Sequence, residues 1–157
     1  MALPFANFFG MADQYSKGMT AGVEQRGNVV LAIVAGLFAA AIGAGIWMAV
    51  EVALSLKIGF VAIAIGALVG FAIRLAGHGS HALFGVIGAV MTLAGCLGGE
   101  ILSNLYLASS AQQSMADLAR TTDYVAMVQT IFSKMDPIGY IIYGIGIFEG
   151  YKLSIVK

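Results

Sequence analysis

From Gly27 to Val50 the chain carries no charged residue, and this one stretch constrains the fold more than any other feature of the sequence. An apolar run of about 18 residues or more is what a helix needs to cross a bilayer with every backbone group satisfied internally. Composition shows that the run is not an isolated patch. Sixty per cent of the 157 residues are hydrophobic and ten per cent are charged, whereas soluble domains carry about a quarter charged residues. The expectation is therefore an all-α chain forming one polytopic membrane helical bundle. It would have three full transmembrane helices and one short one, with an amphipathic N-terminal helix and an amphipathic extramembrane helix before the last segment.

The spans follow from where charges interrupt the apolar runs. The first is expected over 29–50, closed by Glu51. The second is expected over 58–75, with Lys57 and Arg74 able to snorkel from its two ends and Gly77 as a helix stop. After the turn Gly77-His78-Gly79-Ser80-His81, the third is expected over 82–108, broken only by Glu100, Ser103 and Asn104 near its far end. From 110 to 134 the composition changes. Gln112, Gln113, Asp117, Arg120 and Asp123 alternate with a stripe of Met115, Leu118, Val125, Val128 and Phe132, as in one amphipathic helix capped by Ser109 or Ser110. Asp136-Pro137 is a strong helix start, since the carboxylate accepts backbone N–H groups and proline needs no donor in the first turn. A short fourth span is expected over 137–156, provided that Glu149 and Lys152 are accommodated at a boundary.

Residues 1–27 place Phe5, Phe8, Phe9, Ala12 and Tyr15 at helical spacing among polar residues, a pattern suited to the headgroup region. They lack the tripartite pattern of a cleaved signal peptide, so Met1 is expected in the mature chain. Four crossings divide the cations as Lys17, Arg26, Arg74, Lys152 and Lys157 against Lys57, Arg120 and Lys134. That asymmetry places both termini in the cytoplasm.

Charged groups in or beside the spans are the candidate functional residues, because an unpaired ion there costs at least a few kcal/mol. Depth sorts them into Arg74 with Glu149 at one boundary and Lys57 with Glu51 or Glu100 at the other. They are read either as structural charge pairs or, for Glu100 and Glu149, as steps on a proton or cation path. Small residues at helical spacing (Gly66 and Gly70, Gly95 and Gly99, Gly146 and Gly150, with Ala39 and Gly43) are read as helix-packing positions within the bundle or between subunits. The stripe from Met115 to Phe132 is the candidate partner surface.

Other chemistry finds little support. His78 and His81 have a spacing that could share a metal, but a site takes about four ligands and no Cys or carboxylate lies nearby in sequence. No metal, no cofactor and no catalytic residue is expected, since neither a nucleophile elbow nor a zinc-protease motif is present. A formal charge of zero offers no surface for nucleic acid. Cys96 lies alone in an apolar run and reads as a packed thiol.

The stretch from Ile58 to Gly99, with Gly66, Gly70, Arg74, Gly77, Gly79, Phe84-Gly85-Val86-Ile87, Gly95 and Gly98, resembles small bacterial multi-spanning membrane proteins of uncharacterised function. Asp136-Pro137, Tyr143-Gly144 and Glu149-Gly150-Tyr151-Lys152 are similar to the closing segment of the same group. The resemblance implies the bacterial inner membrane and brings no activity. The expected function is a structural or accessory subunit of a larger membrane assembly, acting by packing and tethering, with lipids and other subunits or its own copies as partners. The alternative is a small oligomeric proton or cation channel or transporter.

Overall fold

The structure is a computed structural model that describes residues 27–54, 59–109 and 114–156. The described residues are all-helical: α1 (Val29–Leu54), α2 (Val61–Gly77), α3 (Ala82–Ala108), α4 (Met115–Thr121), α5 (Tyr124–Lys134) and α6 (Pro137–Leu153). Two helices, α1 with 26 residues and α3 with 27, are long and apolar enough to cross a membrane. The second expected span yields a helix of only 17 residues, about 26 Å at the α-helical rise and so a little short of a hydrocarbon core of about 30 Å. The segment expected over 137–156 also yields 17 helical residues. The amphipathic N-terminal expectation falls on residues outside those described, Gly27 excepted.

Helix ends follow local chemistry. Asn28 caps α1 by accepting from Leu31 N–H at 3.1 Å, and the helix continues past Val50 through Glu51 to Leu54. α2 ends at Gly77, but the left-handed residue that turns the chain is His78, at φ 49°. Gly77 therefore closes the helix as expected, and His78 rather than the glycine adopts the left-handed dihedral. Asp136 caps α6 as its sequence suggests, accepting from Gly139 N–H at 2.8 Å with Pro137 in the first turn.

The single helix expected over 110–134 is corrected to two. Asp123 accepts from the N–H groups of Val125 and Ala126 and starts α5, while Thr122 ends α4 with its hydroxyl bonded to the Leu118 carbonyl. Side-chain hydrogen bonds to the backbone outcompete helix continuation there. Ser109 terminates α3, and the cap of α4 is Ser114, which accepts from Asp117 N–H at 3.2 Å.

The four long helices alternate in direction. Gly36 meets Ile73 and Gly43 meets Ile65, so α1 and α2 are antiparallel; Ala40 lies against Gly95 and Trp47 against Gly99, so α1 and α3 are parallel. Gly66 faces Gly146 and Gly70 faces Gly150, which makes α2 and α6 parallel. α1 and α6 each pack on both α2 and α3 and flank that pair on opposite sides. Glycine permits these distances: a Cβ on Gly66 would run into the Gly146 carbonyl, and one on Gly146 would lie 2.5 Å from the Ala62 carbonyl oxygen. Close backbone approach through small residues is a main source of helix association where lipid removes the hydrophobic drive.

The bundle is apolar outside, and small residues share its interior with a few large ones, Trp47, Phe84 and Tyr143 among them. Ala32, Ala39, Ala40, Ala44 and Ala62 are buried with Ile65, Val69 and Ile73, whereas Val30, Phe38, Ile42, Val90 and Phe148 are exposed. The near end, where α1 begins and α6 finishes, is tied by Asn28 N–H to the Gly77 carbonyl at 2.8 Å and by Val156 N–H to the Gly79 carbonyl at 3.0 Å. α4 and α5 sit at the far end, beyond α3 and before α6.

Candidate functional site

Buried polarity gathers at the far end. Trp47 and Glu51 are one turn apart on α1 and both buried, with the indole Nε1–H donating to Glu51 Oε2 at 3.2 Å. On α3, Cys96, Glu100 and Ser103 share the buried face, and Asn104 Nδ2 donates to the Glu100 carbonyl at 2.8 Å. Across from them α6 contributes Tyr143, only 6% exposed. The backbones of α1 and α6 do not touch, and the gap between them is filled by Trp47 and Tyr143 packed edge to face, ring centroids 5.7 Å apart at 71°. Aromatic pairs prefer this T-shaped arrangement.

Beside these rings lies a cavity of about 810 Å³. Trp47, Glu100, Asn104 and Tyr143 line its bundle side, and Met127, Ile131 and Lys134 come from α5. Ile131 is the buried residue of α5, so the face of α5 turned toward the bundle carries Met127 and Ile131, with Met135 just past the helix end also lining the cavity. The Tyr143 hydroxyl is buried without a hydrogen-bond partner, and so is that of Ser103. Leaving such a group unmet costs about 1–3 kcal/mol. Glu51 and Glu100 are each partnered.

The charged residues singled out from the sequence are not all brought together. Glu51 and Glu100 meet in the far-end cluster around Trp47 and Tyr143; Lys57 lies outside the described residues. Among the described residues no ion pair joins Arg74 to Glu149. The register of the α2–α6 seam explains this: with Gly66 opposite Gly146 and Gly70 opposite Gly150, Arg74 is level with Ser154, more than a turn beyond Glu149. The six packing glycines are all placed against neighbouring helices of the same chain, Gly95 against Ala40 and Ile65 and Gly99 against Trp47.

The proposed partner stripe divides. Val125 is exposed, Val128 and Phe132 are half-buried, and Phe132 stacks on Tyr140 with centroids 6.3 Å apart. Met115 and Leu118 are half-buried on the separate helix α4. At the near end His78 and His81 are exposed, and among the described residues no group of three or more His, Cys, Asp and Glu is placed to hold a metal.

Sequence reasoning does not single out Trp47, Asn104 or Tyr143 as a site. The available signal was the chain's single tryptophan lying one turn from Glu51 near a span end, where Trp and Tyr concentrate in membrane proteins. No known protein family, curated protein or solved structure matches the chain.

Proposed function

We propose that this chain is a four-crossing membrane protein that serves as a structural or accessory subunit of a larger membrane assembly, packing and tethering its partners. The observation that carries the reading is the inverted distribution of side-chain size. Gly and Ala make up much of the mating faces, with Trp47, Phe84 and Tyr143 among the few large side chains buried there, while most large apolar side chains of α1, α3 and α6 face outward. An outer surface of that kind is stable in lipid and a liability in water. α2 packs against both longer helices and α6 against α3, which supports counting them as crossings with boundary residues such as Arg74 and Lys152 reaching the headgroups.

The ion-path alternative draws less from the geometry. Between Thr92 and Glu100 the buried positions of α3 are Gly95, Cys96 and Gly99, facing Ala40, Ile65 and Trp47. Thr92 itself spends its hydroxyl on the Gly88 carbonyl at 2.8 Å. Among the described residues this layer offers no chain of polar groups between Glu149 and Glu100.

Tethering falls to the far-end helices, whose Tyr124 and Val125 are exposed. The bacterial inner membrane and cytoplasmic termini belong to the same proposal, the first from the resemblance and the second from the cation count. Gentle detergent extraction followed by native mass spectrometry tests it: unlike subunits accompany the chain if the reading holds. Recovery solely as a homo-oligomer that conducts cations in liposomes, with conduction lost in Glu100→Gln, would establish the alternative.

A further inference from the structure

α5 covers the far-end cavity without filling it. Met127, Thr130 and Ile131 line the cavity from this helix, and Trp47, Glu100 and Asn104 line it from the bundle, so a space of about 810 Å³ lies between them. A helix docked into a core leaves no such gap, because interiors are close-packed. Ile131 is the one buried residue of α5, and among the described helices its backbone comes close to α3 alone. An element with few buried apolar contacts is one that opens at low cost.

The attachment of α5 to α6 has the parts of a hinge and a latch. Two residues join the helices, Met135 and Asp136, both extended. Pro137 holds Asp136 in that conformation, which leaves Met135 as the joint residue free to set the angle between the helices. The Met135 side chain is seated on α6: a Cβ added to Gly139 would lie 2.7 Å from its Cγ. The latch is Tyr140. Its ring stacks on Phe132, and its hydroxyl donates to the Phe132 carbonyl at 2.6 Å. That carbonyl lies in the last turn of α5, where helical acceptors lose their regular partners, and it takes only a longer second bond, from Met135 N–H at 3.3 Å. Tyr140 is itself exposed and Phe132 half-buried, so the latch sits outside the packed core and can release without disturbing it.

We propose that α5 is a lid, hinged at Met135 and latched by Tyr140 on Phe132, that governs access to Trp47, Glu100 and Asn104 in the far-end cavity. The proposal needs neither a bilayer nor a partner subunit. Its test is made on the full chain in a maltoside detergent, with Cys96→Ala removing the native thiol. Asn104→Cys, inside the cavity, is reacted with a maleimide carrying a polyethylene glycol too bulky to enter beneath a closed lid, so that the rate follows the open fraction. Tyr140→Phe deletes the latch hydroxyl and keeps the ring; it should raise that rate about fivefold, the factor set by one ordinary hydrogen bond. Tyr140→Ala removes the stacked ring as well and should raise the rate further. The exposed position of Ser133→Cys should react equally fast with Tyr140 intact or replaced.

Distances between spin labels report the motion itself. Gln129→Cys on the lid and Phe60→Cys on the bundle are both at exposed positions. A population at longer separation should grow from the parent chain to Tyr140→Phe to Tyr140→Ala. Phe60→Cys paired with Val90→Cys, both on the bundle, should keep one distance throughout. A labelling rate and a lid distance indifferent to both Tyr140 substitutions overturn the proposal. Broadening of both pairs together overturns it too, since the bundle and not a lid would then be loosening. Failure of this test leaves the accessory role standing, whereas loss of unlike subunits in native mass spectrometry would remove that role and leave the lid.

Discussion

Gly66 and Gly144 are both helical glycines, yet a methyl group added to each meets opposite surroundings. At Gly66 it would be driven into the Gly146 carbonyl, whereas at Gly144 nothing lies within 4 Å. Gly66→Ala should force α2 and α6 apart and destabilise the protein by about 1–3 kcal/mol, the usual cost of overpacking. Gly144→Ala should stabilise by up to about 1 kcal/mol through helix propensity. Thermal midpoints in detergent that move in opposite directions would bear this out, and equal shifts would remove the seam. His78 offers a third substitution, because it holds φ 49° without being glycine. His78→Gly should raise the midpoint, relieving a left-handed strain of about 1–2 kcal/mol less the extra backbone entropy of glycine. At this scale the sequence discloses which residues are small but not which pairs meet. The Arg74–Glu149 pairing was inferred from depth, counted from the ends of the spans. The actual offset is set by which glycine faces which carbonyl, a quantity that no residue count contains.

Among the helices, those bounded by a side-chain cap were the most legible. Asp136-Pro137 announced α6, because an acceptor placed before a residue without a donor has few other uses, and its carboxylate does take Gly139 N–H. The break between α4 and α5 left the same kind of trace in Asp123, and Ser114 with Asp117 three residues later left another. Both were masked by the hydrophobic stripe running from Met115 to Phe132, which keeps a helical period through the break. Periodicity reports which face is apolar; it is blind to whether one helix or two carry that face. Asp123→Ala should cost about 1 kcal/mol in cap energy. The loss should appear as faster hydrogen exchange at the amides of Val125 and Ala126, the two groups that Asp123 accepts from. Unchanged exchange there would mean that packing on the bundle, and not the cap, holds α5 in place. The cavity depends on that placement, since α5 supplies its roof. This is why the site was not legible: its walls come from α1, α3, α5 and α6 and converge only after the far-end helices fold back.

For the molecule as a whole, the alternating directions of α1, α2, α3 and α6 bring Gly27 and Val156 to one end and α5 to the other. α1 alone, with 26 residues, is about 39 Å long at the helical rise, enough to separate those ends by a full bilayer. That two helices are long and apolar enough to cross a membrane was legible because it rests on uncharged length, which any fold must respect. The number of crossings was less so, because α2 and α6 are short enough that their boundary residues decide. Two exposed serines at opposite ends resolve it: Ser80 in the near-end turn and Ser133 on α5. In a Cys96→Ala background, Ser80→Cys and Ser133→Cys are reacted separately with a membrane-impermeant maleimide in intact cells and after permeabilisation. Four crossings with cytoplasmic termini predict that position 133 reacts in intact cells and that position 80 reacts only once the membrane is opened. The reverse pattern would keep the crossings and invert the orientation derived from the cation count. Equal reactivity at both positions in intact cells would place the two ends on the same side, and a bundle with its ends on one side of the bilayer cannot be the spanning one proposed.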